Sequence, residues 1–239
     1  MKTIRLIAIL TLIFGNLSSQ EDYKRPDYEL IKTEITNSDS RFSYPDLYNR
    51  FVQNDTTLDK DDYIHLYYGF IYNDKYVNYE DSVDIINIIR KIDTYAQIPE
   101  NQLTSSDNDS LFKYTNLILE KSPYNIGDLS QLTYYYHKKG DLDNEKRYLY
   151  KVKMIIETIL SSGDGKSESS AFHVISTQHE YDILRIKRFQ PVMQKLVGDD
   201  YHYNKGELYH YIKVRKNKEK IKGIYFDVTK IFEPLITGN

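Results

Sequence analysis

Apolar residues follow two different periods along this chain. From Asp46 they recur at spacings of three and four. Tyr63, Leu66, Tyr67 and Phe70 form one stripe, and Val83, Ile86, Ile89 and Ile92 form another. That spacing predicts helices with one buried face. Pro45 stands at the start of "PDLYNRF", where its fixed φ suits a first helical turn. In "TTLDKDDYIHLYYGF" a threonine is the expected N-cap, followed by acids in the first turn. Ser110 is the expected cap of "LFKYTNLILEKS". "LSQLTYYYHKKGDLDNEKRYLYKV" reads as a helical hairpin. Leu129, Leu132 and Tyr136 make its first stripe, Gly140 its turn, and Leu142, Leu149 and Val152 its return stripe.

Beyond "SSGDGKSESS" the period becomes two. "AFHVIS", "EYDILRI", "LYHYIKV" and "GIYFDV" all alternate and read as half-buried strands, expected to pair antiparallel. "QPVMQKLVGDD" reads as a short helix between them. The predicted fold is α+β, a helical half packed with an antiparallel sheet. Residues 21–45 form a lead-in punctuated by Pro26 and Pro45. Residues 46–160 form the helical region, 161–170 a flexible linker and 171–239 the β region, with 46–239 as one structural unit.

The hairpin at 123–152 resembles a tetratricopeptide repeat. Pro123 stands where a preceding repeat would end. Leu129, Leu132, Thr133, Tyr136 and Gly140 fit the first helix and turn, and Leu149 and Val152 fit the second. Glu145 departs from that pattern, which wants a small residue there. One unit is legible, and a solenoid needs about three.

Residues 1–20 are of another kind. Lys2 and Arg5 precede an apolar run from Leu6 to Phe14, and "GNLSSQ" follows. This is the plan of a secretory signal peptide, with a mature start expected near Gln20 or Glu21. The run is much shorter than the ~20 residues of a membrane-spanning helix. The expected location is therefore the periplasm or the extracellular space, with no stable membrane span in the mature chain. No cysteine is present, which excludes disulfides and a lipid-bearing cysteine after the signal. Without Lys2 and Arg5, 30 basic residues face 35 acidic ones, a net charge of −5. That balance argues against general nucleic-acid binding, which needs positive surface to neutralise phosphates. The chain has 24 tyrosines and no tryptophan. Exposed tyrosines would suit a sugar-binding face, whereas an AT-rich coding sequence would enrich the same residue with no functional meaning.

"YPDLYNRFVQNDTTLDKDDYIHLYYGF" with "KYVNYED", and "SAFHVISTQHEYDIL" with the final "GIYFDVT", carry a resemblance over nearly all of the mature chain. They resemble an uncharacterised family of exported bacterial proteins, domain of unknown function 4919. The resemblance implies export and one recurring fold. It implies no activity and assigns no catalytic residue.

Several short motifs fail as chemistry. "GKS" at Gly165 lacks the glycine a phosphate loop needs five positions earlier, where Leu160 stands. Ser110 and Lys113, beside "SDN" at Ser106, mimic elements of penicillin-recognising enzymes. They overlap in the wrong order, and no K-T-G follows. Asp141, Asp143 and Glu145 alternate like calcium ligands, but Lys146 replaces the glycine such a loop requires.

The remaining cluster is His173, His179, Glu180 and Asp182. If residues 171–176 and 179–186 form a hairpin around Thr177-Gln178, His173 faces Asp182 and could be oriented as a base or metal ligand. Thr-Gln is a poor two-residue hairpin turn. The spacing also lacks the second histidine of H-E-x-x-H. His173 and His179 alone are too few for a catalytic zinc, which takes three protein ligands, unless His202 comes close. The favoured reading of these residues is polar cross-strand pairs, ahead of ligand contact and of metal binding or catalysis. His210 lies on an apolar strand face and reads as a satisfied core histidine. Lys213 to Lys222 holds six basic residues and reads as a solvated hairpin tip.

The favoured expectation is a non-enzymatic module of the cell envelope that binds a protein or peptide, with no cofactor, and with Tyr135 and Tyr136 on the hairpin as candidate contacts. An envelope hydrolase or metal-binding protein using His173, His179 and Glu180 is the first alternative. Carbohydrate or cell-wall binding through exposed tyrosines is the second.

Overall fold

A computed structural model describes residues 23–74, 76, 83–198 and 206–237. The expected signal peptide, most of "KYVNYED", and His202 lie outside the described residues.

Side-chain caps set where the helices begin. Asp27 accepts from the Leu30 amide and opens α1 (Tyr28–Thr36) inside the expected lead-in. Ile31 and Ile35, four apart, bury its inner face. Helix α2 (Tyr44–Val52) carries Pro45 in its first turn, as its sequence implies. Helix α3 (Lys60–Gly69) is capped by Asp59, whose carboxylate accepts from the Asp62 amide while Asp62 accepts from the Asp59 amide. The reciprocal bonds satisfy two donors at once, so this aspartate and not a threonine marks the start. After α4 (Val83–Ala96), Thr104 and Asp107 make the same box at the head of α5 (Ser105–Leu119). Ser110 therefore lies inside α5 instead of capping it.

Asn125 caps α6 (Ile126–Lys139), and Asp141 caps α7 (Leu142–Leu160). Between them Gly140 has φ +72°, a left-handed conformation that closes the first helix at little cost only for a residue without Cβ. The expected hairpin is present, with Leu129, Leu132 and Val152 buried, although Leu142 is exposed. Helices α4 to α7 pack each against the next, so α4–α5 is a second hairpin beside α6–α7. Helix α3 lies on α7, flanked by α1 and α2.

The second half corrects several local expectations. "SSGDGKSESS" is an ordered loop and not a free linker: the Asp164 and Gly165 amides donate to the Ser170 carbonyl, and the Tyr225 amide donates to the Gly165 carbonyl. "AFHVIS" contributes only β1 (Phe172–His173), and "EYDILRI" belongs to α8 (Thr177–Ile186). Ser176 caps that helix by accepting from the Gln178 amide. The apolar and acidic residues that alternate also fall four apart: Glu180 with Leu184, and Asp182 with Ile186. The cap decides between the two periods. The proposed hairpin does not form, and His173 does not face Asp182. "QPVMQKLVG" is strand β2 (Pro191–Gly198), with Pro191 at the first position, where a missing ladder donor is tolerated.

The fold is α+β. Strands β3 (Leu208–Val214) and β4 (Gly223–Asp227) complete a four-stranded sheet in the order β1-β4-β3-β2. Pairs β2–β3 and β3–β4 are antiparallel as expected, but β1 runs parallel to β4, with His173 opposite Asp227. The sheet is therefore mixed. Helix α9 (Thr229–Thr237) follows. One continuous core joins the halves: Leu47, Tyr63, Leu66, Ile155 and Ile159 from the helices meet Phe172, Ile183, Ile212 and Phe226. Tyr63, Tyr67, Tyr68 and Tyr124 are fully buried and belong to the core, not to an exposed binding face.

Candidate functional site

The four polar residues singled out in the sequence go to separate places. His173 sits at the end of the sheet, 3 % exposed. Arg25 Nε–H donates to its Nε2 at 3.3 Å, which leaves the proton on Nδ1. Nδ1 faces the Tyr28 hydroxyl at 3.4 Å and Asp227 Oδ2 at 3.6 Å. Burial, and the nearby Arg25 guanidinium, hold this imidazole neutral by lowering its pKa, against the pull of Asp227. Arg25 also reaches Glu207 at 2.7 Å and Asp227 at 3.3 Å, and Tyr209 donates to Glu207. Every group in this cluster answers another, and its work is to fasten the N-terminal segment to the sheet.

His179 projects from α8 into the helical core. Its Nε2–H donates to the Tyr124 carbonyl at 3.1 Å, and its Nδ1 accepts from the Tyr67 hydroxyl at 2.8 Å. That hydroxyl in turn accepts from the Ile175 amide. Burial pushes the His179 pKa down to about 4. With both ring nitrogens engaged, the imidazole is a core strut.

Glu180, one residue on, turns to the sheet. Its Oε1 takes the Nδ1–H of His210 at 2.7 Å. Gln194 lies beside both, and Tyr181 donates to Gln194 Oε1 at 2.6 Å. Burial raises the Glu180 pKa, and the bond to His210 works against that rise. His210 is thus satisfied, as its strand position implied. Asp182 pairs with Arg185 at 2.8 Å and leaves Oδ2 without a partner. Burial pushes its pKa up to about 6. Among the described residues no three His, Asp or Glu side chains are grouped to hold a metal ion.

The hairpin tyrosines are placed differently. An open cleft of about 230 Å³ lies between α5 and α6. Its floor is apolar, from Leu111, Phe112 and Leu132. Asn108, Gln131 and Tyr135 ring it, and Lys138 and Lys139 stand at the end of α6. None of its lining residues is acidic. Tyr135 stacks on Phe112, with centroids 4.4 Å apart and planes 28° apart. Tyr136 does not line the cleft. It stacks on Tyr148 across the hairpin at 5.4 Å, meets Phe112 edge-on, and burial lifts its pKa to about 12. Tyr136 therefore supports the wall that Tyr135 and Phe112 form. Near the turn, His137 bonds Glu145 at 3.1 Å, which gives the residue that departs from the repeat pattern a role across the hairpin.

Sequence reasoning missed the partners more than the residues. Arg25 and Tyr28 fall in the lead-in of residues 21–45, though Asp27 before an Ile31/Ile35 pair is a readable helix signal. Lys151 carried no signal. It is 5 % exposed, with Nζ 4.3 Å from the Phe51 ring centre and 5.0 Å from that of Tyr148. It makes no ion pair among the described residues, and burial pushes its pKa down to about 7.

Fold and cleft together define an α+β protein with a mixed sheet, in which paired helices present a small aromatic-walled groove. The sequence model of the family described as Domain of unknown function (DUF4919) matches residues 29–235, and the chain belongs to that family. No curated protein and no solved structure matches the chain. Among the described residues no helix is long and apolar enough to cross a membrane.

Proposed function

We propose that this is an exported, non-enzymatic module of the cell envelope that binds a peptide or an unstructured protein segment in the α5–α6 cleft. The observation that carries the reading is the wall formed by Tyr135 on Phe112 above an apolar floor, open to solvent. Rigid aromatic side chains with hydrogen-bonding neighbours suit recognition of a peptide, because they offer contact area at small entropic cost. The cleft falls below the ~300–1,000 Å³ of sites that enclose drug-sized ligands. It therefore suits one or two side chains of a longer partner better than an enclosed cofactor. Export rests on the charged, apolar and polar order of residues 1–20. Mass spectrometry of the protein's N-terminus after expression in a bacterial host tests it, with Gln20 or Glu21 as the expected first residue.

The binding test is selection of short random peptides on the purified chain, followed by titration of the winners against Tyr135→Ala. A peptide that binds the wild type and weakens about tenfold or more on that truncation supports the reading, in line with an aromatic hot spot. Selection that yields no binder, or binders indifferent to Tyr135→Ala, overturns it. Binding of a wall oligosaccharide in place of any peptide would move the same cleft to the carbohydrate reading.

A further inference from the structure

Resting on that reading of the cleft, the geometry points to a particular occupant. We propose that the cleft takes a peptide segment bearing a carboxylate, and that this carboxylate displaces Asp109 from the Tyr135 hydroxyl and the Lys139 amine.

The argument starts from what Asp109 does now. Its Oδ1 accepts from the Tyr135 hydroxyl at 3.0 Å and from Lys139 Nζ at 3.1 Å. Two donors from successive turns of α6 thus converge on one carboxylate oxygen at the mouth of the cleft. Lys139 Nζ also lies 5.3 Å from the centre of the Tyr135 ring, which keeps amine and hydroxyl on the same side. This is a ready-made carboxylate position, filled by the protein's own residue.

Asp109 is held there loosely. Its side chain is 55 % exposed and that of Lys139 is 44 % exposed. Exposed ion pairs contribute little and exchange easily with other charges. An incoming Asp, Glu or C-terminal carboxylate would recover both bonds and would add contact with Phe112 and Leu132, which Asp109 does not supply. Charge favours such a partner. Lys138 and Lys139 both line the cleft, and the acid beside it, Asp109, is the one the incoming carboxylate replaces. A neutral sugar would use the ring faces and leave this donor pair on Asp109.

Fluorescence polarisation on the full chain tests the idea with two matched sets of short labelled peptides. One set carries Asp and Glu at fixed positions, the other Asn and Gln, and both are otherwise identical. The acidic set should bind at least threefold more tightly, a ratio in keeping with one exposed charge pair. That preference should vanish with Lys139→Gln and shrink at high salt. Asp109→Asn removes the internal competitor and should tighten the acidic set roughly threefold while leaving the neutral set unchanged. Equal binding of both sets, with Asp109→Asn silent, overturns the carboxylate inference and leaves peptide binding standing. Binding of neither set overturns both. Circular dichroism of each variant confirms that the fold is kept, and Asp109→Asn supplies a gain that no loss of folding can imitate.

Discussion

Glu180 and His210 lie 30 positions apart, and their side chains meet at 2.7 Å with the glutamate fully buried. The pair ties helix α8 to the central strand β3. Truncation to Glu180→Ala removes the carboxylate from a buried imidazole and leaves Gln194 as the neighbour of its Nδ1, at 2.7 Å. Removing one partner of a buried hydrogen bond costs about 1–3 kcal/mol. Urea unfolding should show a loss of that order, with Glu180→Gln falling between the variant and the wild type because an amide oxygen still accepts. Equal stability of Ala and wild type would show that the bond contributes nothing.

His179 gives the fold an acid limit. Its folded pKa is about 4, against about 6.5 in an unfolded chain. Between those values the unfolded chain binds a proton that the native core refuses. The depressed pKa therefore removes stability as pH falls from about 6.5 toward 4, by about 3 kcal/mol in all. His179→Gln has no proton to take up. The stability difference between wild type and variant should shift by this amount across that window, read by denaturant titration at several pH values. A difference that stays constant with pH would exclude a neutral buried imidazole.

Lys151 acts in the opposite pH range. Its folded pKa is about 7, well below that of an exposed lysine. Above pH 7 the unfolded chain keeps a proton that the native amine has lost, so this site adds stability as pH rises toward 10. Below pH 7 it holds an unpaired charge in the core, and the rings of Phe51 and Tyr148 offset only part of that cost. Lys151→Met should stabilise the protein by about 1–3 kcal/mol at pH 6, with a gain that shrinks by pH 9.5. A destabilised variant at pH 6 would mean that the amine is favourably held.

Gly140 tests the hairpin turn. A Cβ there would meet no atom within 4 Å, so only the left-handed backbone opposes substitution. Gly140→Ala should cost about 1 kcal/mol, and Gly140→Asn clearly less, because asparagine tolerates this conformation. Thermal unfolding of the three proteins gives the order. Equal melting of the alanine variant and wild type would contradict the φ of +72°.

What could be read from the sequence was whatever depends on neighbours a few residues away. The α6–α7 hairpin, with its glycine turn, is local, and so are strands β3 and β4. Where one stretch satisfies two periods, as 180–186 does, alternation misleads, because a capping serine four residues before that stretch outweighs it. Strand β1 was misjudged in extent and direction because its partner, β4, lies more than fifty residues on, and no local pattern encodes a parallel neighbour. The site followed the same rule. Tyr135 stood on a readable helix. Lys139, four residues on, is its neighbour on the same helix, whereas Asp109 and Phe112 become its companions only through the packing of α5 on α6. His173, His179 and Glu180 are near in sequence, but His173 stays on strand β1 while helix α8 turns His179 and Glu180 to different walls.

The bond from Arg25 to Asp227 joins residues separated by 202 positions. Ring closure over so long a chain is slow compared with forming a local helix. Arg25 also holds His173, and the Lys24 amide donates to the Ser161 carbonyl, so only part of this fastening waits for the last strand. A chain without β4 would lose the Asp227 end of this tie and the partner strand of β1 together. The segment that opens the described fold is thus fastened in part by the last strand of its sheet, so the two are stabilised together.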